Sequence, residues 1–390
     1  MSHKEKIILG ITTGSHMSVH SMMLIFPTIM LVLKNEFSTG LATLGIIVSL
    51  STFMYGLGAL PTGFLERKYG AYNLLLLYQI GTIISTIFIA KSHSLFTLTI
   101  GLIFAGLFAS IYHPAGLTLI SHHSKKLSKG MAIHGIGGSL GLALGPMIGA
   151  GCTVLVSWRF AYITISIVNL LLLMITLISS KYWCDTPYKD PRENKNKSKT
   201  NKPALKYYYG VSVLMGFTFT GFTTFMPTHL ASETQTILQG ISDTMRGGIF
   251  TSLVLLSGIV GQSMGGWAGE RFPLTKYLFW IVLLNIPFLV LLGLVSNYWL
   301  IGSALVLGIV HFNWQPVANS LIAHLTHTTH RGLGYGINFF LNIGFGAGAA
   351  AIGGFIAEKF GVTYIFPMMG IVLIPALILS WILIGKVEEI

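Results

Sequence analysis

The chain has 390 residues, of which only 9% are charged and 53% are hydrophobic, with a mean hydropathy of +0.72. Soluble domains carry about 25% charged residues, and a water-soluble body of this size could not cover its surface with so few. The formal net charge of +12 would suit a nucleic-acid partner only if the basic residues gathered on one patch, and their spacing along the chain excludes that.

A helix that crosses a bilayer needs about 20 mostly apolar residues. In chain order, such stretches cover 7–33, 42–64, 71–90, 95–121, 130–153 and 159–180, and then 207–230, 247–269, 275–296, 299–324, 332–357 and 362–385. The first is too long for a signal peptide and lacks a small-residue cleavage site, so it reads as a span. The expected fold is an all-α integral membrane protein with twelve transmembrane helices. Residues 1–180 form one six-helix half and 207–390 the other. The stretch 181–206 between them is rich in Lys, Asn and Pro and reads as a basic linker.

Alternating the spans across the membrane puts 19 of the 24 Lys and Arg residues on one side. They include Arg67, Lys68, Lys125, Lys126, Lys129, the linker lysines, Arg271 and Arg331. Positive residues are retained on the cytoplasmic side, so both termini and the linker are expected there. The two cysteines, Cys152 and Cys184, fall on opposite sides, which argues against a disulfide between them.

The two halves repeat each other. Gly63 to Gly70 (GFLERKYG) returns 203 residues later as Gly266 to Pro273 (GWAGERFP). Tyr112-His113-Pro114-Ala115 aligns with Trp314-Gln315-Pro316-Val317, and Lys129-Gly130 with Arg331-Gly332, both at an offset of 202. Agreement at three places along each half marks a duplicated six-span unit. The turns at 63–70 and 266–273 resemble the signature loop of the major facilitator superfamily, Gly-x-Leu-Ala-Asp-Arg-x-Gly. Gly141 to Gly149 (GLALGPMIG) resembles the span-5 motif of its antiporter branch, and Ser157 to Phe160 (SWRF) the usual start of span 6. Tyr112 to Gly116, followed by Gly135 to Gly138, is most similar to the bacterial fosmidomycin-resistance-like exporters. The chain also departs from the pattern. Arg67 stands at the acidic position of the first loop with Glu66 one residue early, Pro273 replaces the closing glycine of the second, and no arginine occupies span 4 around Gly101.

The resemblance implies two parallel halves that rock about a central cavity. It makes Glu66, Arg67, Lys68, Glu270 and Arg271 gating residues, whose charge pairs break and reform during rocking. Gly141, Gly145 and Gly149 recur every four residues on one helix face and allow close helix packing, while Pro146 bends that helix.

By these boundaries no carboxylate lies deep in a span, and histidines are the titratable residues that remain there. His16 and His20 lie four apart on the first span, His113 on the fourth and His311 on the tenth, with Gln315 one turn on. Asn338 and Asn342 share one face of the eleventh. Turned to lipid these groups would be costly, so they are expected to face a shared interior. The resemblance makes spans 1, 4, 7 and 10 the cavity lining, with 2, 5, 8 and 11 beside them. His134 lies near the end of its span and is a weaker candidate. His16, His20, His113 and His311 could form a metal cage and carry a metal ion directly, but their spacing is no zinc signature, and no resident metal and no cofactor are expected.

Imidazole titrates near neutral pH, so these histidines can move protons and attract an anion without a carboxylate. The expectation is a monomeric secondary transporter of the bacterial inner membrane. It moves a small polar, anionic or zwitterionic solute by alternating access, as proton-coupled efflux. A carrier of metallophores, siderophores or other metal complexes is the alternative within transport; a receptor or scaffold is the alternative outside it. No nucleophile constellation or phosphate loop supports an enzyme.

Overall fold

The computed structural model describes residues 2–124, 127–182, 200–327 and 331–387. Most of the expected linker, with Cys184, lies outside the described residues. Among the described residues the chain is helical without strands. Twelve helices follow in order: α1 (His3–Glu36), α2 (Leu41–Leu57, continued by Ala59–Tyr69), α3 (Ala71–Ala90), α4 (Leu95–His123), α5 (Leu127–Leu155) and α6 (Trp158–Ile178). The second set is α7 (Lys202–Glu233), α8 (Asp243–Gly269), α9 (Leu274–Leu292), α10 (Asn297–Phe312, continued by Trp314–Leu325), α11 (Arg331–Phe339 to Gly348–Lys359) and α12 (Ile365–Ile384). Eleven of them are both long and apolar enough to cross a membrane. The other, α7, has 32 residues, about 48 Å at 1.5 Å per residue, but is diluted by Thr and Tyr. It begins at Lys202, inside the stretch read as linker.

The helices form two six-helix bundles related by pseudo-symmetry, and the packing pairs show it. In the first bundle α1 packs on α5, α2 on α4, and α3 on α4 and α6. In the second, α7 packs on α11, α8 on α10, and α9 on α10 and α12. The bundles meet through α5 against α8 and α2 against α11, which the same symmetry exchanges. Outward-facing Ile84, Leu171, Ile371 and Trp381 are exposed on the outside of the bundles. Such an apolar exterior is at rest only in lipid.

Two helices are interrupted just ahead of a proline. A proline removes the hydrogen bond to residue i−4 and its ring crowds that carbonyl. Pro61 and Pro316 lie four residues after Leu57 and Phe312, and there α2 and α10 are interrupted, at Gly58 and Asn313. Pro27, Pro114, Pro146, Pro227, Pro287 and Pro375 are carried inside continuous helices. In α11 the interruption has another form, a π-turn over Phe340–Phe345. The backbones of α7 and α11 touch here: a Cβ on Gly346 would lie 2.7 Å from the Gly216 carbonyl carbon. Such turns replace one helical register by another and recur at functional sites.

The end of the bundle remote from the chain termini is sealed between the halves. A Cβ on Gly354 of α11 would lie 2.6 Å from the Leu41 oxygen, and one on Gly248 of α8 would lie 3.0 Å from the Pro146 oxygen. Glu358 on α11 reaches over to α2, where its Oε2 accepts a hydrogen bond from the Ala42 N–H at 2.9 Å. The α2 N-cap is Gly40, which has no side chain to cap the helix, so a carboxylate of the opposite half satisfies that amide. Nearby, Glu36 at the end of α1 accepts from the Trp158 indole at 2.6 Å and from Arg159 at 2.7 Å, tying α1 to α6.

Candidate functional site

Between the halves lies a cavity that leaves ≈ 180 Å³ for the centres of water-sized spheres. A single water needs roughly 10–15 Å³ by the same measure, so a small solute fits. The lining comes from α1, α2, α4 and α5 on one side and from α7, α8, α10 and α11 on the other. All seven residues expected in the interior reach it: His16, His20, His113, His311, Gln315, Asn338 and Asn342. Among the described residues no carboxylate, lysine or arginine does. Gln315 and Asn319 are exposed, so the solvent path runs toward the end that carries the chain termini.

The first half contributes a cluster of imidazoles. His16 Nδ1 lies 2.8 Å from the His134 carbonyl oxygen. A carbonyl only accepts, so Nδ1 carries the proton and the lone pair is left on Nε2. His20 Nε2 lies 3.1 Å from that nitrogen and donates to it. The His113 ring is 5.0 Å from His16 and 5.5 Å from His20 between centroids. Its Nε2 shares a 2.6 Å hydrogen bond with the Tyr55 hydroxyl on α2. Behind the cluster, the His134 ring stacks on His16 at 4.0 Å and 9°, and the Tyr112 hydroxyl donates to the Thr12 carbonyl. Gly138 makes the space, because a Cβ there would lie 2.8 Å from His16 Nδ1.

The second half contributes amides. Asn338 Oδ1 accepts from Ser212 at 2.7 Å and from Tyr208 at 3.0 Å. Asn342 Nδ2 donates to the Ser212 carbonyl at 2.9 Å, within the π-turn. Ser139 of α5 donates to Gln262 Oε1 at 3.0 Å, and Gln262 Nε2 donates to Gln315 Oε1 at 2.9 Å, so one chain of hydrogen bonds crosses the half-interface. His311 stands apart from the other histidines: its Nδ1 donates to Asn285 Oδ1 at 2.9 Å and its ring stacks on Phe219 at 5.5 Å.

Tyr55, Ser139 and Gln262 were not singled out in the sequence, although a lone Gln in an apolar span is the same signal that selected Gln315. His134 takes a larger part than its place near a span end suggests, since α5 packs against α1 and puts it under His16. His229, not among the candidates, is a core residue whose Nε2 donates to the Leu292 carbonyl at 2.7 Å. Arg246 lies inside the first turn of α8, buried, held by Asp243 and by the Ala231 carbonyl at 3.2 Å.

The repeated loops differ from the expected turns. In the first, α2 stays helical through Tyr69 and only Gly70 turns, with φ +79°. In the second, α8 runs to Gly269 and the turn covers 270–273. Helical hydrogen bonds continue through both patterns because no proline intervenes before those positions. Lys68 lies over the Tyr69 ring at 5.1 Å, and Arg271 over Trp267 at 4.5 Å. The Arg67 side chain lies outside the described residues. The ion pairs Arg159–Glu36 and Arg246–Asp243 are each within one half. Gly141, Gly145 and Gly149 pack α5 onto α1: Cβ atoms there would meet the backbones of Met17, Ser21 and Ile25.

Two bundles of six membrane helices around a polar cavity, in contact through α2–α11 and α5–α8, define the class as a membrane carrier built from two repeats. The chain belongs to the Major Facilitator Superfamily, whose family model matches residues 11–337 and 208–389. Quinolone resistance protein NorB of Staphylococcus aureus (strain bovine RF122 / ET3-1) is 28% identical over 149 residues, which is 38% of this chain and 32% of NorB. The aligned region thus spans about a third of that relative. The fold matches a bacterial homolog of the human lysosomal transporter Spinster in an inward-facing and occupied conformation, with TM-score 0.81 and 13% identity, over 99% of this chain and 98% of that one. It also matches the peptide transporter POT in complex with sulfate, with TM-score 0.79 and 15% identity, over 98% and 93%.

Proposed function

We propose that this carrier exports a small anionic or zwitterionic solute from the cytoplasm of a bacterial cell across its inner membrane, in exchange for protons. The observation that carries the reading is the imidazole cluster in a cavity whose described lining has no carboxylate. An imidazole that takes up a proton can no longer offer its lone pair to the solute, so protonation from one side displaces a solute bound to the neutral form and couples the two movements in opposite directions. With both termini in the cytoplasm, as the basic loops favour, the sealed end faces outward and the structure is open inward. The two halves are the rocking bodies, 181–206 is the tether between them, and the 63–70 and 266–273 patterns work as gates on the cytoplasmic face. Export is supported by Gly141, Gly145, Pro146 and Gly149, by the likeness to fosmidomycin-resistance-like exporters, and by partial similarity to a quinolone-resistance protein. The chain acts as a monomer in this scheme, since the cavity is complete within it.

The test is flux in proteoliposomes under an imposed pH gradient, on solutes found by thermal-shift screening of the purified carrier. Gradient-driven flux that disappears on replacing His20 or His113 supports the proposal. Flux indifferent to both the gradient and those substitutions rejects it.

A further inference from the structure

We propose that His16, His20 and His113 form a binding site for a divalent transition-metal ion of the zinc class, which enters the cavity with an anionic group of its solute as the fourth ligand. The proposal rests on the exporter reading and names the substrate class of that same cavity as a metal chelate.

The geometry carries it. The ligand nitrogens of the three residues all lie within 4.8 Å of one another. Zinc–nitrogen bonds of about 2.0–2.1 Å at a tetrahedral angle place ligand nitrogens roughly 3.3 Å apart. His16 Nε2 and His20 Nε2, at 3.1 Å, already stand near that spacing. They are four residues apart on one helix, which gives both rings the same face. His113 comes from α4, so the site joins two helices, and modest ring rotation closes it.

The surroundings fit a ligand set. A metal-bound histidine commonly donates its other ring N–H to a carbonyl or similar group, which fixes the tautomer. His16 does so to the His134 carbonyl and therefore keeps its Nε2 lone pair for the ion. The Tyr55 hydroxyl holds the His113 ring. When an ion binds, the proton on His20 Nε2 moves to Nδ1 and both facing lone pairs go to the metal.

Charge then decides the fourth ligand. Three neutral imidazoles leave a dication at its full charge, and a low-dielectric cavity without a carboxylate does not tolerate it. An anionic oxygen or nitrogen from the solute supplies the balance. The amides of Asn338, Asn342 and Gln315 on the opposite wall face the rest of the chelate.

The other titratable groups against the cluster are His134 on α5, Tyr55 on α2 and Tyr112 on α4, with Tyr78 of α3 behind Tyr112 at 5.2 Å. The imidazoles cannot hold a proton and the ion together, so acidification expels the metal. That gives the proposed exchange a stoichiometric basis in one site.

The experiment uses the purified full-length carrier in detergent, with any affinity tag removed, titrated with Co²⁺. The expected result is one equivalent of Co²⁺ with the intense visible bands of a four-coordinate ion, shifted by azide, which takes the open position. His16→Ala, His20→Ala and His113→Ala should each weaken binding roughly tenfold or more, and lowering the pH to about 5 should bleach the bands. Replacing the surface histidines His123, His324 and His327 by Gln should leave them intact. Circular dichroism and thermal melting check that each variant is folded, and His113→Gln serves if His113→Ala is not. No four-coordinate bands, or bands that survive loss of the three histidines, overturn the proposal. Bands without gradient-driven flux reject the proton exchange and leave the metal site standing. Gradient-driven flux without bands does the reverse.

Discussion

The two walls of the cavity descend from one duplicated unit and yet differ in chemistry. The first half presents His16, His20 and His113, with His134 stacked behind; the second presents Gln262, Gln315, Asn338 and Asn342. His113 and Gln315 occupy equivalent places 202 residues apart, and each contacts a neighbouring polar side chain, Tyr55 in one case and Gln262 in the other. Duplication kept the scaffold because helix packing tolerates only small residues at the touching faces. The cavity face was free to diverge because its side chains meet other polar side chains and the open cavity rather than closing a backbone-to-backbone contact. A cluster of titratable groups opposite a wall of amides, on which His311 stands alone and is held by Asn285, lets charge change mainly on one side while the other keeps its hydrogen bonds.

The comparison breaks most severely if the imidazole wall is emptied. The double substitution His16→Ala with His20→Ala should abolish gradient-driven flux, a loss of about 100-fold or more as measured in proteoliposomes. A double variant that retains gradient dependence would place the coupling elsewhere. Gly138→Ala should come next, since the new methyl collides with the His16 ring and must displace it; flux should fall by roughly 10-fold, at a stability cost of about 1–3 kcal/mol measured by thermal or chemical unfolding.

The amide wall should behave differently. Gln315→Ala or Asn342→Ala should raise the KM for solute by about 10-fold while the dependence on the pH gradient stays, because these groups carry no proton. Equal loss of coupling from either wall would erase the distinction between them. The smallest effect is expected from Glu358→Gln. It weakens the charge on the α2 N-terminus at the sealed end by about 0.3–1 kcal/mol, a shift of a few-fold toward the outward-open form, read by accessibility of a cysteine introduced near Ala42.

Much of the fold was legible in the sequence. Spans of about 20 apolar residues follow from bilayer thickness alone; the breaks at Gly58 and Asn313 were not legible, since Pro27, Pro114 and Pro146 sit inside helices that continue past them. The π-turn at Phe340–Phe345 was not legible, because it depends on the backbones of α7 and α11 meeting at Gly216 and Gly346. In the site, His16, His20, His113, His311, Gln315, Asn338 and Asn342 stood out because polar groups in apolar spans are expensive. Their grouping did not. His311 looked like a fourth member of one set, but Asn285 and Phe219 hold it in the second half. His134 looked peripheral until helix packing stacked it on His16. The repeated 63–70 and 266–273 patterns looked like turns, whereas most of the first is helix.

By itself the sequence determined the solvent, the number of crossings and the duplication, because hydropathy and repeat spacing are properties of the chain read one residue after another. The tertiary structure alone decided which imidazoles share a site and which end is sealed. Those are distances between helices separated by up to hundreds of residues. They are set by where glycines let neighbouring helices approach, as at Gly138 beneath the His16 ring and Gly354 against the Leu41 backbone.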